Sequence, residues 1–170
     1  MQLNEAMAYS LEEIRGLVHG TVEGLDTEAL RWLPDAEANP IGWLVWHLTR
    51  VVDDHVCGIA DREQVWVRDG WATRFGLPAG AMDTGFGSSP PQVQAVTPDG
   101  PQPLLDYHDQ VAEATSRYLD SLGTADFDRI IDRSYDPPVT VGIRLLSVNS
   151  DALQHVGQAA YVKGLFQRRA

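Results

Sequence analysis

Residues 39–61, NPIGWLVWHLTRVVDDHVCGIAD, decide the fold of this chain. Asn39 is a favourable N-cap, and Pro40 suits the first helical position, where its missing N–H group is not needed. Apolar side chains then recur at helical spacing and share one face: Ile41, Leu44, Leu48, Val51, Val52 and Ile59. The stretch therefore predicts a long helix over about residues 40–62 that buries one side.

Three further segments have the same helical period, and we predict helices over about residues 3–25, 103–122 and 141–167. A short helix is expected over residues 27–32, in the first connection. Four long helices packed side by side give an all-α four-helix bundle. A chain of 170 residues is most economically one domain, here residues 1–170, with a core of its own.

The connection over about residues 66–102 differs from the helices in composition. Six glycines and six prolines within residues 70–103 exclude a long regular element there. Irregular connections longer than about 12–15 residues are uncommon in compact domains and often act as lids or binding loops. The compatible alternative is a crossover that wraps the bundle and is pinned by Trp66, Trp71 and Phe75.

Charge and composition limit the partners. The chain has 13 basic and 24 acidic residues and a formal net charge of −11, which argues against nucleic acid and anionic membranes as ligands. The single cysteine, Cys57, excludes an intramolecular disulfide and suits a reducing compartment. No apolar run approaches the ~18 residues of a membrane span, and the N-terminus does not read as a signal peptide. We therefore expect a soluble cytoplasmic protein.

Three side chains with metal-binding atoms point towards the interior of the predicted bundle. Asp151 and His155 lie one turn apart on the fourth long helix, and His47 lies on the second. A carboxylate near an apolar core is costly unless it is paired or bound to a cation. Two histidines and one carboxylate leave coordination positions open, as in catalytic zinc and non-haem iron sites. The alternative is a hydrogen-bonded Asp–His pair at the end of the bundle.

Further residues near these three have either a pocket role or an ordinary one. Asp54, about 10 Å along the helix from His47, is expected to support a metal ligand or contact the substrate rather than bind the metal itself, with a solvated carboxylate as the alternative. Gln158 has the position to orient His155 or a substrate. Trp43 flanks His47 and either forms a pocket wall or packs in the core.

Four other side chains are assigned to packing or to the surface. His55 and His108 read as neutral core histidines, with a pocket role as the alternative for each. Cys57 lies on the side of its helix opposite the apolar stripe, which makes it a poor nucleophile. His19 is expected at the surface.

Four segments together carry a resemblance to a known family: NPIGWLVWHLTRVVDDH, REQVWVRDGWATRFGL, YDPPVTVGIRL and SDALQHVGQAAYVKGL. The chain resembles the DinB/YfiT-like superfamily of metalloenzymes and, more narrowly, its actinobacterial branch that contains mycothiol S-transferases. The resemblance implies a four-helix bundle with an up-down-down-up arrangement and one long crossover.

The resemblance also implies a divalent metal, with zinc favoured and nickel, iron or manganese as alternatives. The family pattern is one histidine from the second helix and an H-x3-H pair from the last. His47 and His155 match it, whereas Asp151 stands where the family has a histidine. An aspartate is shorter and anionic, so it favours harder ions than imidazole does.

By the same resemblance, the expected function is transfer of a low-molecular-weight thiol, mycothiol as cosubstrate, to a small electrophile. No catalytic side chain is identified. The expected oligomeric state is either a monomer or a homodimer. The alternatives are a non-catalytic metal-binding or stress-response bundle and a metal-dependent hydrolase or isomerase. The last is weakened because the sequence offers no evident general base beside the ligands.

Overall fold

The computed structural model describes residues 1–169 and is built on four long helices: α1 (Leu3–Val22), α3 (Ile41–Ala60), α6 (Gln102–Asp120) and α7 (Val141–Gln167). The shorter helices are α2 (Thr27–Arg31), α4 (Val65–Arg68) and α5 (Pro90–Ala95), with 3-10 turns at Trp71–Phe75 and Thr124–Asp128. Two short strands, β1 (Ile130–Asp132) and β2 (Val139–Thr140), pair antiparallel just before α7, with Ile130 opposite Thr140.

The long helices pack in a ring, because α1 and α3 each contact both α6 and α7. Ser10 Oγ donates a hydrogen bond to Asn149 Oδ1 in the first halves of α1 and α7. Lys163 Nζ donates to the Gly20 carbonyl near the ends of the same two helices. Both contacts follow the same order along the chain, so α1 and α7 run parallel.

The other two pairings complete the arrangement. In the first halves of α3 and α6, Thr49 hydrogen-bonds His108. Near the ends of the same helices, Arg129 donates both to the Ile59 carbonyl of α3 and to the Tyr118 hydroxyl of α6. Helices α3 and α6 are therefore parallel. Helix α7 runs antiparallel to α3, because Arg144 at its start contacts His55 late in α3. The expected all-α bundle with up-down-down-up helices is therefore confirmed.

Several helix ends differ from the expected ones. Helix α1 ends at Val22 and not near residue 25, because Gly24 turns the chain with a φ of 76°. The N-cap of α3 is Pro40 and not Asn39, so the helix begins at Ile41. It ends at Ala60, and the C-cap residue Asp61 has a φ of 52°.

The connection between α3 and α6 has to return along the bundle, because these two helices are parallel. Three of its aromatic side chains, Trp66, Trp71 and Phe75, are buried. Each packs against Tyr107 of α6, with ring centroids 5.3–5.9 Å apart. The crossover is thus pinned by the aromatics expected to pin it, and its regular elements are all short.

Helix α3 is buried on more than one side. Every residue from Ile41 to Arg50 is buried, so this half of the helix is covered on the faces outside its apolar stripe as well. The crossover covers the outer side, where Trp46 meets Trp66 with ring centroids 6.2 Å apart. A helix that is apolar all round is typically enclosed by other elements.

Within residues 1–169, no helix is both long enough and apolar enough to cross a membrane.

Candidate metal centre and its pocket

The structure brings His47, Asp151 and His155 together between α3 and α7. One potential ligand atom from each residue lies within 4.8 Å of the others. The two imidazole rings meet edge to face, with centroids 4.7 Å apart. This grouping is the one the sequence predicts, and its distances are compatible with a shared ion.

His47 is held in a single orientation by the crossover. Its Nδ1–H donates to the Thr84 carbonyl, and its ring stacks on Trp43 at a centroid distance of 4.7 Å and an interplanar angle of 13°. Because Nδ1 carries the proton, the lone pair is on Nε2. Histidine ligands in metal sites are commonly fixed by such a hydrogen bond from the other ring nitrogen.

His155 has the same arrangement, with a side chain as its partner. Its Nδ1 lies 2.8 Å from Oε1 of Gln158, an amide oxygen that can only accept, so Nδ1 carries the proton. Its Nε2 faces Asp151 Oδ1 at 3.5 Å. Gln158 is therefore placed to orient His155.

Asp151 provides the test of whether a cation fits here. Its Oδ2 is buried and has no hydrogen-bond partner within residues 1–169. A buried carboxylate oxygen without a partner is rare in folded proteins, and a bound cation is one of the groups that satisfies it. The chemistry of this donor set, two imidazole nitrogens and one carboxylate, fits a divalent ion.

The protonation equilibria of the three groups are coupled. Proximity to His155 lowers the pKa of Asp151, and Asp151 raises the pKa of His155. Burial lowers the pKa of His47, and the neighbouring His155 lowers it further. His47 is therefore a neutral imidazole at neutral pH, which is the form that binds metals.

A cavity of about 550 Å³ opens beside the three side chains and is lined by His47 and Asp151. Its rim includes two exposed aromatic side chains, Phe86 from the crossover and Tyr135 from the turn between β1 and β2. The site is thus accessible to a small molecule with apolar parts.

His55 lines this cavity and is not a core residue, so the core interpretation is wrong. Its side chain is 37% exposed, because β1, β2 and α7 leave a cleft over this face of α3. Its Nδ1 accepts a hydrogen bond from Arg144 Nη1 at 3.0 Å. Asp54, also on the cavity wall, accepts a hydrogen bond from Gln64 at 2.7 Å and is not among the grouped donors.

The remaining histidines and the cysteine lie elsewhere. His108 is buried and hydrogen-bonds Thr49, as expected of a core histidine. His19 is partly exposed and pairs with Asp109 and Glu23. Cys57 is buried, although its position opposite the apolar stripe suggested otherwise, and burial raises its pKa to about 12.

Sequence reasoning missed the groups that fix the crossover at the site. Arg50 is fully buried and donates to the carbonyls of Met82 and Asp83, next to Thr84. Asp53, also buried, lies 3.5 Å from the Arg50 guanidinium and accepts hydrogen bonds from the backbone at Val65 and Trp66. The sequence did contain a signal for this contact, because Arg50 and Asp53 are opposite charges three residues apart in an otherwise apolar helix.

Comparison with known proteins agrees with this architecture. The family model described as the DinB superfamily matches residues 10–159. The structure is also similar to the crystal structure of a conserved protein from Enterococcus faecalis, with a TM-score of 0.90, 25% sequence identity and 99% of each chain covered. A search among curated proteins finds no significantly similar sequence.

The molecule is thus an all-α bundle whose second and fourth long helices present a candidate metal centre to an open cavity. The chain belongs to the DinB superfamily.

Proposed function

We propose that this protein is a metal-dependent transferase that joins a low-molecular-weight thiol, mycothiol, to a small electrophile. The observation that carries the proposal is the unpartnered Oδ2 of Asp151 beside two histidines that are each hydrogen-bonded through Nδ1, so that their Nε2 atoms are the ones left for a metal. The choice of a thiol, and of mycothiol in particular, rests on the resemblance of four sequence segments to the actinobacterial branch of the superfamily.

The proposed ion is zinc, held by His47, Asp151 and His155. Neutral imidazoles and a carboxylate are common zinc ligands, although nickel, iron and manganese accept the same donors. When bound, a divalent ion supplies Lewis-acid chemistry that lowers the pKa of a thiol, so that the reactive thiolate forms near neutral pH.

The protein's own groups bind and orient the reactants in this proposal. Thr84 and Gln158 keep the two imidazoles in fixed orientations. Phe86 and Tyr135 offer apolar surface at the mouth of the cavity for the organic part of a substrate. The electrophile would enter from the same mouth, because His47 is itself buried.

His55 bears on the hydrolase or isomerase alternative. It is a histidine on the wall of the cavity at the candidate centre, the alternative that the sequence left open for it, and burial lowers its pKa. However, Arg144 donates to its Nδ1, so the proton is on Nε2 and the Nδ1 lone pair is occupied. In this arrangement His55 donates a hydrogen bond to a ligand and does not abstract a proton, which favours a binding role.

Metal content is the first test. The protein purified without chelators is expected to contain about one divalent ion per chain, measured by mass spectrometry of the elements, with zinc the main one. His47→Ala should lose the ion, whereas His19→Ala should retain it, because His19 lies on α1 and pairs with Asp109. A metal content near zero in the unmodified protein would remove the basis of the proposal.

Activity is the second test. The metal-loaded protein is mixed with mycothiol and monobromobimane, and formation of the conjugate is followed by fluorescence. We expect turnover that disappears in His47→Ala and persists in His19→Ala. A stoichiometric metal without turnover on any thiol would favour the non-catalytic bundle.

A cytoplasmic location and a monomeric or homodimeric state are part of the same proposal.

A further inference from the structure

A second cavity, of about 680 Å³, adjoins the cavity at the candidate metal centre. Asp54, His55 and Arg144 line both cavities and form the boundary between them. The second cavity lies between the late part of α3 and β1. A ligand that occupies both would have one end near His47 and the other over the strand.

Three arginines line this second cavity: Arg62, Arg129 and Arg144. The whole chain has only 13 basic residues and a net charge of −11, so a convergence of three guanidinium groups on one cleft is unusual for this surface. They come from three places that are distant in sequence: Arg62 follows the end of α3, Arg129 precedes β1 and Arg144 lies at the start of α7. The fold, and not a local charge run, brings them together.

The acidic groups in the same cleft have other partners. Asp54 Oδ1 accepts a hydrogen bond from Gln64, and Asp132 Oδ1 accepts two from Ser134, at 2.8 Å from the backbone N and 2.7 Å from the hydroxyl. Asp132 Oδ2 lies 4.0 Å from Arg144, at the outer limit of an ion pair. Within residues 1–169, these carboxylates therefore leave much of the guanidinium donor capacity available.

Two of the arginines are held in place by contacts that use only part of their donors. Arg144 directs Nη1 to His55, and Arg129 directs Nη2 to the Ile59 carbonyl and the Tyr118 hydroxyl. A guanidinium has five N–H donors in a planar fork that matches carboxylate and phosphate oxygens. Partly anchored arginines of this kind are suited to binding an oxyanion.

We propose that this arginine cleft, defined by Arg62, Arg129 and Arg144, binds a carboxylate or phosphate group of the substrate. The reacting end of the same molecule would then lie in the cavity at His47 and Asp151. The oxyanion site stands on the cleft alone, whereas the position of the reacting end rests on the proposed function. The substrate class is accordingly an anionic small molecule.

Binding of simple oxyanions tests the cleft directly. Succinate and inorganic phosphate are titrated into the purified protein, with succinamide as the uncharged counterpart of succinate, and binding is followed by amide chemical shifts. We expect at least one of the two anions to bind, its affinity to fall with added salt, and succinamide not to bind. The anion that binds more tightly indicates whether the natural group is a carboxylate or a phosphate.

Substitutions then locate the site. Arg62→Gln and Arg129→Gln are each expected to weaken binding by about threefold, and the double variant by about tenfold, because both side chains are exposed. Arg31→Gln, at the end of α2, is the matched control and should bind as the unmodified protein does. Far-ultraviolet circular dichroism would confirm that each variant is folded.

His155→Ala separates this inference from the proposed function. If the anion binds equally well to His155→Ala, the arginine cleft is its site whether or not the protein holds a metal. If binding is lost in His155→Ala and unaffected in the arginine double variant, the anion lies at the metal centre and the inference is overturned. Absence of binding by both anions would also overturn it.

Discussion

Asp151 has two oxygens in different situations, and this difference bears on how the site would accept an ion. Its Oδ1 lies 3.5 Å from Nε2 of His155, whereas its Oδ2 is buried without a partner in the described chain. The same Nε2 is the atom that His155 would offer to a metal. A cation would therefore take the place of the proton that His155 and Asp151 otherwise share.

Cys57 is the one thiol of the chain, and its surroundings make it unreactive. Its Sγ donates a hydrogen bond to Asp53 Oδ1 at 3.3 Å, and burial together with this carboxylate raises its pKa to about 12. We expect the native protein at pH 8 to react with iodoacetamide at least a hundredfold more slowly than an unfolded thiol does, because the thiolate is the nucleophile. Mass spectrometry of the intact protein measures this rate.

The same reaction in guanidinium chloride is the control for Cys57. Unfolding exposes the thiol and restores its ordinary acidity, so labelling should then be complete within minutes. Rapid labelling of the native protein would show that Cys57 is accessible and ionised, and it would reopen its candidacy as a nucleophile.

At the scale of elements, the crossover is held to α3 by side chains that donate to three consecutive carbonyls. Arg50 donates to Met82 and Asp83, and His47 donates to Thr84. The segment that orients His47 is therefore part of the bundle's packing and is not a free loop. The geometry of the candidate metal centre depends on this attachment.

Gly85 allows the crossover to approach α3 this closely. Its φ is 92°, and a Cβ at this position would lie 2.8 Å from Trp46 Cζ3, 3.0 Å from Trp43 Cζ2 and 3.1 Å from His47 Nδ1. Gly85→Ala is expected to lower the free energy of unfolding by about 3 kcal/mol, from backbone strain and overpacking together. Chemical denaturation measures the loss, and the metal content of the purified variant should fall as Thr84 is displaced.

Gly87→Ala is the matched control, because Gly87 has a φ of 72° but open space where its Cβ would be. It should carry only the backbone strain, about 1 kcal/mol, and should retain the metal. Equal effects of the two substitutions on stability and metal content would show that the close approach at Gly85 does not position His47.

At the scale of the whole molecule, the helical period of the sequence was sufficient to predict that the chain folds as a helical bundle. The four long helices follow from regular apolar spacing, since each has a periodic face, whereas their up-down-down-up arrangement was implied by the resemblance alone. The grouping of His47, Asp151 and His155 was also predictable, because all three lie on helices. Within a helix, residue spacing alone determines which side chains share a face.

The parts that sequence reasoning missed depend on irregular segments. His55 was assigned to the core first and to the pocket only as the alternative, but it lies under a cleft formed by β1, β2 and α7. Thr84 and Gly85 act through backbone atoms at positions that no helical period describes. The types of residue in a sequence do not show where a backbone carbonyl points, nor where elements distant in sequence will form a cleft.

His108, at the contact between α3 and α6, should make the stability of the protein depend on pH. Thr49 Oγ1 donates to the Val45 carbonyl, so it accepts from Nδ1–H of His108, and Nε2 is left as a buried lone pair without a partner in residues 1–169. Burial lowers the pKa of His108 from 6.5 to about 4. The unfolded chain therefore binds a proton at this residue between these two pH values, and the folded chain does not.

Because the unfolded state takes up that proton, the free energy of unfolding should decrease as the pH falls from 6.5 towards 4, with no contribution from His108 above 6.5. A shift from 6.5 to about 4 corresponds to a loss of about 3 kcal/mol from this residue. Urea denaturation at pH 7 and pH 4 measures the loss, and His108→Gln, which can still donate to Thr49, should reduce it by that amount. The comparison is made between the two proteins because the other histidines contribute equally in both: the raised pKa values of His19 and His155 act with the opposite sign, and the lowered pKa values of His47 and His55 with the same sign. The same pH dependence in His108→Gln as in the unmodified protein would place the acid sensitivity elsewhere in the bundle.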